Sequence, residues 1–113
     1  MSAKYNLVCE QATTFNFRFT IKNNDTPWDL TGYAVTMTVK PFAGSTSTTV
    51  VASTANGRVT LEPLDGRIIV NIPSATTAGF TATRHEYDIV VDSGSEVTRI
   101  LEGRFVVTPA VTV

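Results

Sequence analysis

Phe15-Asn16-Phe17-Arg18-Phe19-Thr20-Ile21-Lys22 alternates apolar and polar residues without a break. Successive side chains of an extended chain point to opposite faces, so this stretch reads as a β-strand with one buried face and one wet face. A helix would instead group residues three and four apart, which mixes Phe15 with Arg18 as well as with Phe19. Tyr33, Val35, Met37 and Val39 repeat the pattern against Ala34, Thr36, Thr38 and Lys40. Tyr5, Leu7 and Cys9 carry a weaker version. Composition agrees: 14 Val, 6 Ile and 19 Thr stand against 5 Leu and 3 Lys. β-branched side chains suit the pleated sheet, whereas Leu and Lys suit helices.

Working outward, Val50–Ser53, 58–62 and Arg67–Ile72 are separated by Asn56-Gly57 and by Pro63-Leu64-Asp65-Gly66. Asn-Gly and Asp-Gly supply the positive φ angles of tight reversals, so these three segments are expected to form a meander. Residues 74–80 contain two threonines and a glycine and predict at most one short helical turn, a crossover with Ser74 as its N-cap. Arg84–Asp92 and 96–107 read as a closing hairpin around Ser93-Gly94-Ser95. Gly44-Ser45-Thr46-Ser47-Thr48-Thr49, small and polar, reads as a mobile loop. Seven to nine short antiparallel strands in 113 residues predict one all-β domain, residues 1–113, built as a two-sheet sandwich.

Composition also excludes functions. With 42% hydrophobic and 17% charged residues the chain should fold. Nine Lys/Arg against ten Asp/Glu leave a formal charge of −1, so no positive field draws nucleic acid or an anionic membrane. The polar start Met1-Ser2-Ala3-Lys4-Tyr5-Asn6, and the lack of any run near the roughly 20 apolar residues that span a bilayer, predict neither export nor anchoring. One cysteine cannot form an internal disulfide, and one histidine cannot supply a zinc cage. No glycine-rich phosphate loop or nucleophile elbow is present. The expectation is a protein with no catalytic residues, no metal and no cofactor.

Individual residues support that reading. Glu86 and Asp88 lie on the strand face opposite His85, so these three form no local acid–base pair, and His85 reads as a surface or strand-edge residue. Cys9 lacks a basic neighbour and reads as an inert, partly buried thiol. Asp25 and Asp29 fit turn-making better than a calcium loop. Four adjacent apolar pairs break the alternation: Ile68-Ile69, Val90-Val91, Ile100-Leu101 and Val106-Val107. Each marks either a bulge or a covered central strand, or else an outer face buried by another subunit. Trp28, on a loop between two strands, either closes the sandwich end or anchors a partner. Val111 and Val113, in the uncharged tail from Pro109, either finish the last strand or pair with another chain. The candidate contact residues are therefore Trp28, Ile69, Val90, Ile100, Val106, Val111 and Val113.

Several motifs are similar to a known family. Tyr5-Asn6-Leu7 with Gln11-Ala12-Thr13-Thr14-Phe15 looks like its opening strand and the turn into the second, with Ala12 where glycine is more usual. Asp29-Leu30-Thr31-Gly32-Tyr33 is similar to the element that enters its third strand. Tyr87-Asp88, then Val97-Thr98-Arg99-Ile100-Leu101-Glu102-Gly103 and Pro109-Ala110-Val111-Thr112, look like its closing hairpin and tail. On these residues the chain resembles the small immunoglobulin-like sandwich proteins of tailed-bacteriophage particles, a group that includes tail-collar and fibre-attachment proteins. The resemblance implies a non-enzymatic, multi-copy virion component, assembled in the host cytoplasm, whose partners are copies of itself and other virion proteins. Capsid decoration, or a carbohydrate- or receptor-binding module around Trp28, Tyr33 and the loop before them, is the alternative.

Overall fold

The structure is a computed structural model and describes residues 3–23, 26–42 and 44–110. Its strand segments are β1 (Ala3–Lys4), β2 (Leu7–Glu10), β3 (Phe15–Thr20), β4 (Lys22–Asn23), β5 (Thr26–Pro27), β6 (Ala34–Lys40), β7 (Val50–Ser53), β8 (Val59–Glu62), β9 (Arg67–Ile72), β10 (Arg84–Asp92) and β11 (Val97–Thr108). In the larger sheet β11, β10, β6 and β7 are neighbours in that order, and β1 and β2 both pair with β11. The smaller sheet runs β3-β9-β8, and β4 with β5 makes a two-stranded ribbon. The chain is thus an all-β sandwich, and its division into β6, β7, β10 and β11 against β3, β8 and β9 is the immunoglobulin strand order. The two alternating stretches that predict strands, β3 and β6, sit in opposite sheets.

The core lies where the inward stripes meet. Val35, Met37 and Val39 of β6, Ile89 and Val91 of β10, and Phe105 and Val107 of β11 face Ile68, Val70 and Ile72 of β9. Phe15 meets Phe105 edge-on, ring centroids 5.2 Å apart, and so links the two sheets.

Several expectations change in detail. Only the second half of the meander forms: β8 pairs antiparallel with β9 across residues 63–66, but β7 pairs with β6 in the other sheet, Met37 opposite Ala52. Asn56-Gly57 therefore carries the chain across the sandwich. Its glycine has the positive φ of a turn, 80°, but a reversal does not dictate that the strands beside it pair. Ser74 does not cap the helical turn. Pro73 holds the extended cap position, and Ser74 is the first residue of the four-residue helix α1 (Ser74–Thr77). A second turn, of 3-10 type, spans Pro63–Asp65. The 44–49 loop is held at two points, since Ser45 is buried and the Thr49 hydroxyl lies 3.1 Å from His85 Nδ1.

Tyr5 does not share the buried stripe of Leu7 and Cys9. β1 and β2 pair with β11 in parallel and in one register, Ala3 opposite Leu101 and Leu7 opposite Phe105, but the chain leaves the ladder at Tyr5-Asn6. There it crosses Gly103 so closely that a Cβ on that glycine would collide with the Tyr5 carbonyl. Tyr87, opposite Gly103 on β10, donates its hydroxyl to the same oxygen at 2.6 Å.

Of the doubled apolar positions, Ile100-Leu101 is a bulge. Ile89 pairs with Leu101 and Val90 with Arg99, which leaves Ile100 without an opposite residue. Ile100 then packs against the core beside the buried Leu101. The other three pairs follow the strand period, with Ile68, Val91 and Val107 inside and Ile69, Val90 and Val106 half-buried on outer faces.

Candidate interaction surfaces

The groups with intrinsic reactivity are engaged in the fold. His85 is not a surface residue as expected. It has the parity of Tyr87 and Ile89 and is only 3% exposed. Its Nε2 lies 3.0 Å from the Thr81 carbonyl oxygen, and an acceptor there requires the proton on Nε2. Nδ1 is then free to accept the Thr49 hydroxyl hydrogen, so a neutral ring is satisfied at both nitrogens. Glu86 and Asp88 face the other way, as the strand period requires. Cys9 is 1% exposed, and burial, aided by the Glu10 carboxylate, pushes its thiol up to about 11, far from the range of a nucleophile at neutral pH. Asp29 accepts the Thr31 amide at 2.9 Å and the Thr31 hydroxyl at 2.5 Å. The hydroxyl bond, then the amide bond, holds its carboxyl below the usual value. It makes its own turn, as expected, while Asp25 lies outside the described residues. Among the described residues no three His, Cys, Asp or Glu groups are placed to share a metal ion.

The outer face of the larger sheet is polar, with charges of opposite sign in neighbouring register positions. Lys40, Glu86 and Arg104 are opposite one another across β6, β10 and β11, alternating in sign. Asp88 forms an ion pair with Arg99 at 3.2 Å. These residues, with Lys4, Asn6, Thr38 and Glu102, line an open, shallow concavity. Val90 sits among them between Thr36 and Arg99. Val106 lies between Arg84 on β10 and Val8 on β2, and Val8 is 62% exposed. On the outer face of the smaller sheet Ile69 is flanked by Arg18 and Thr60.

The sequence-derived contact residues are therefore not gathered into one patch. Val90 and Val106 share a face but are separated along it, Ile69 lies on the opposite face, and the bulge turns Ile100 inward. Trp28 is half-buried at one end of the sandwich, packed on the core and edge-on to Tyr33 with ring centroids 5.8 Å apart. Val111 and Val113 lie outside the described residues.

A surface that residue pattern alone does not expose runs along the side of the sandwich at β3. Phe17 and Phe19 read as buried from their alternation, but β3 is an edge strand and both rings are only half covered. Tyr5, whose amide still bonds the Glu102 carbonyl but whose own carbonyl leaves the ladder at Gly103, stacks on Phe17 at 5.8 Å and 19°, and Phe17 stacks on Phe19 at 5.2 Å and 29°. Tyr5 remains 55% exposed. The result is an aromatic strip, three rings long, beside a strand edge that no described residue pairs with. The signal for it lies in Gly103, whose missing side chain lets the first strand break and release Tyr5.

No protein-family model matches the chain, and no curated protein matches it. Among solved structures it is similar to the extracellular domain of the voltage-gated sodium channel beta4 subunit, described as parallel homodimers that explain a role in cell–cell adhesion. The superposition covers 98% of this chain and 96% of that one, with a TM-score of 0.46 and 7% identity. The fold assignment therefore rests on this chain's own strand order.

Proposed function

We propose that this chain is a non-enzymatic structural component of a tailed-phage particle, present in several copies and holding its neighbours by surface contact at the tail collar or a fibre attachment. The motif resemblance at Asp29-Leu30-Thr31-Gly32-Tyr33 and in the closing hairpin supports the setting. The observation that carries the contact role is the Tyr5–Phe17–Phe19 strip beside β3: stacked rings left partly in water are apolar surface suited to a neighbour. The engaged state of His85, Cys9 and Asp29 supports a role without bond-making.

Light scattering on the purified chain, alone and mixed with the proteins of the particle, tests the proposal. Self-association or binding to a particle protein is expected, and a monomer that binds none of them overturns it. The carbohydrate-module alternative predicts that Trp28→Ala abolishes glycan adsorption and spares the fold. Trp28 packs edge-on to Tyr33 against the core, which favours a loss of stability instead.

A further inference from the structure

Among the described residues the two sheets of the sandwich have four strand edges, and three of them are obstructed. At β7 the Asn56 side chain behaves like a strand residue: its Nδ2 donates to the Val51 carbonyl at 2.9 Å and its Oδ1 accepts the Ser53 amide at 2.9 Å. The Arg58 guanidinium adds a bond to the Val51 carbonyl at 3.3 Å. β8 is four residues long and runs straight into Pro63. β1 and β2 are two and four residues long and are interrupted at Tyr5-Asn6. Short strands, proline, irregularities and side-chain covers are the means by which proteins prevent strand addition. β3 has none of them. It is six residues of Phe-Asn-Phe-Arg-Phe-Thr, pairs only with β9 among the described residues, and carries one charge, Arg18, but no lysine, proline, glycine or bulge.

Resting on the contact role proposed above, we infer that β3 is the self-association edge, and that its occupant is β3 of a second copy, antiparallel across a twofold axis through Phe17. Directly opposed residues in an antiparallel pair share a face, so the apolar stripe must meet the apolar stripe. Two registers satisfy this near the strand centre. In one, Arg18 faces its own copy and like charges oppose. In the other, Phe17 faces Phe17, Phe15 faces Phe19, and Asn16 faces Arg18 twice by symmetry, so no like charges meet. The strand is thus complementary to itself in a single register. That pairing joins two three-stranded sheets into one of six and brings the two Tyr5–Phe17–Phe19 strips together. A six-residue ladder with aromatic flanks lies at the small end of specific interfaces, so the dimer should depend on concentration and strengthen where copies are held close in a particle.

The test is sedimentation velocity of the whole chain over a concentration series, for the wild type, Asn16→Arg and Asn16→Asp. Asn16 is exposed on the outer face, so circular dichroism should show all three folded alike. Asn16→Arg places like charges opposite each other at two symmetry-related points and should weaken the dimer about tenfold, whereas Asn16→Asp should tighten it by a similar factor. Amides of residues 15–20 should gain hydrogen-exchange protection as the concentration rises. A dimer whose affinity is indifferent to both substitutions, or whose protection falls elsewhere, overturns the β3 pairing and leaves the contact role standing. A chain that stays monomeric at all concentrations yet binds a particle protein also overturns the pairing alone. A monomer that binds nothing overturns both.

Discussion

Gly103 and Tyr87 together fix how the N-terminal segment lies on the sandwich. Gly103 admits the Tyr5 backbone, and the Tyr87 hydroxyl, buried opposite it, holds the Tyr5 carbonyl at 2.6 Å. In Gly103→Ala the new methyl would meet backbone, which cannot step aside as a flexible side chain can. Thermal or denaturant unfolding should show a loss of about 2–3 kcal/mol, the usual cost of overpacking. Tyr87→Phe keeps the ring and removes one hydrogen bond, so a smaller loss, roughly 1–1.5 kcal/mol, is expected. If Gly103→Ala matched the wild type, Tyr5 would not cross there. Both residues stand in the closing-hairpin motifs of the sequence, but their purpose could not be seen there: the partner is almost a hundred positions away, and nothing local to Tyr5 announces that it leaves the strand. The surroundings of His85 are hidden in the sequence for a related reason. His85 shares the parity of Tyr87, Ile89 and Val91, which points it inward, but the groups that satisfy its two ring nitrogens, Thr49 and Thr81, are brought near it only by the fold.

Elements were read best where a side-chain period governs them. β3 and β6 lie close to where alternation places them, because burying one face fixes the parity of every residue in the strand, and β9 and the β10–β11 hairpin lie close to where their bounding turn residues place them. Pairing was read worse. The Asn56-Gly57 turn looked like a hairpin, yet its asparagine closes the β7 edge and its glycine sends the chain to the other sheet. A side-chain amide bonded to a strand edge is invisible to pattern, since it depends on the approach of the loop in space. Asn56→Ala should therefore act on the element rather than on the core. It removes the acceptor of the Ser53 and Arg58 amides and one of the two donors to the Val51 carbonyl, which keeps the Arg58 guanidinium, for a loss of about 1–2 kcal/mol in exposed positions. It also opens a strand edge, so the variant should aggregate faster than the wild type under mild heating, measured by turbidity. Unchanged turbidity together with unchanged stability would show that β7 needs no cover.

At the scale of the whole molecule, two buried acids tie stability to pH in one direction. Burial raises the Cys9 thiol from about 9 to about 11, with Glu10 adding to the effect, and burial, then Tyr5, raises the Tyr87 hydroxyl above its ordinary value. Both are neutral when protonated. In the unfolded chain they lose their protons at ordinary values, about 9 for the thiol and about 10 for the phenol, while the folded chain still holds them. Over that window the unfolded state binds fewer protons than the native state, so the free energy of unfolding must fall as pH rises. Full stability from these groups is present below about pH 9 and is withdrawn above it. Cys9 lies on β2 and Tyr87 holds the Tyr5 carbonyl, so alkali acts where the N-terminal strands meet β11, the region that also presents Tyr5 to the aromatic strip. Denaturant midpoints should therefore be flat through neutral pH and decline above pH 9. In Cys9→Ala the onset should move up toward the tyrosine range, because only Tyr87 then drives it. A midpoint that stays constant to pH 11, or declines identically in Cys9→Ala, would mean that the thiol titrates as it does in water and that β2 does not seal it from solvent.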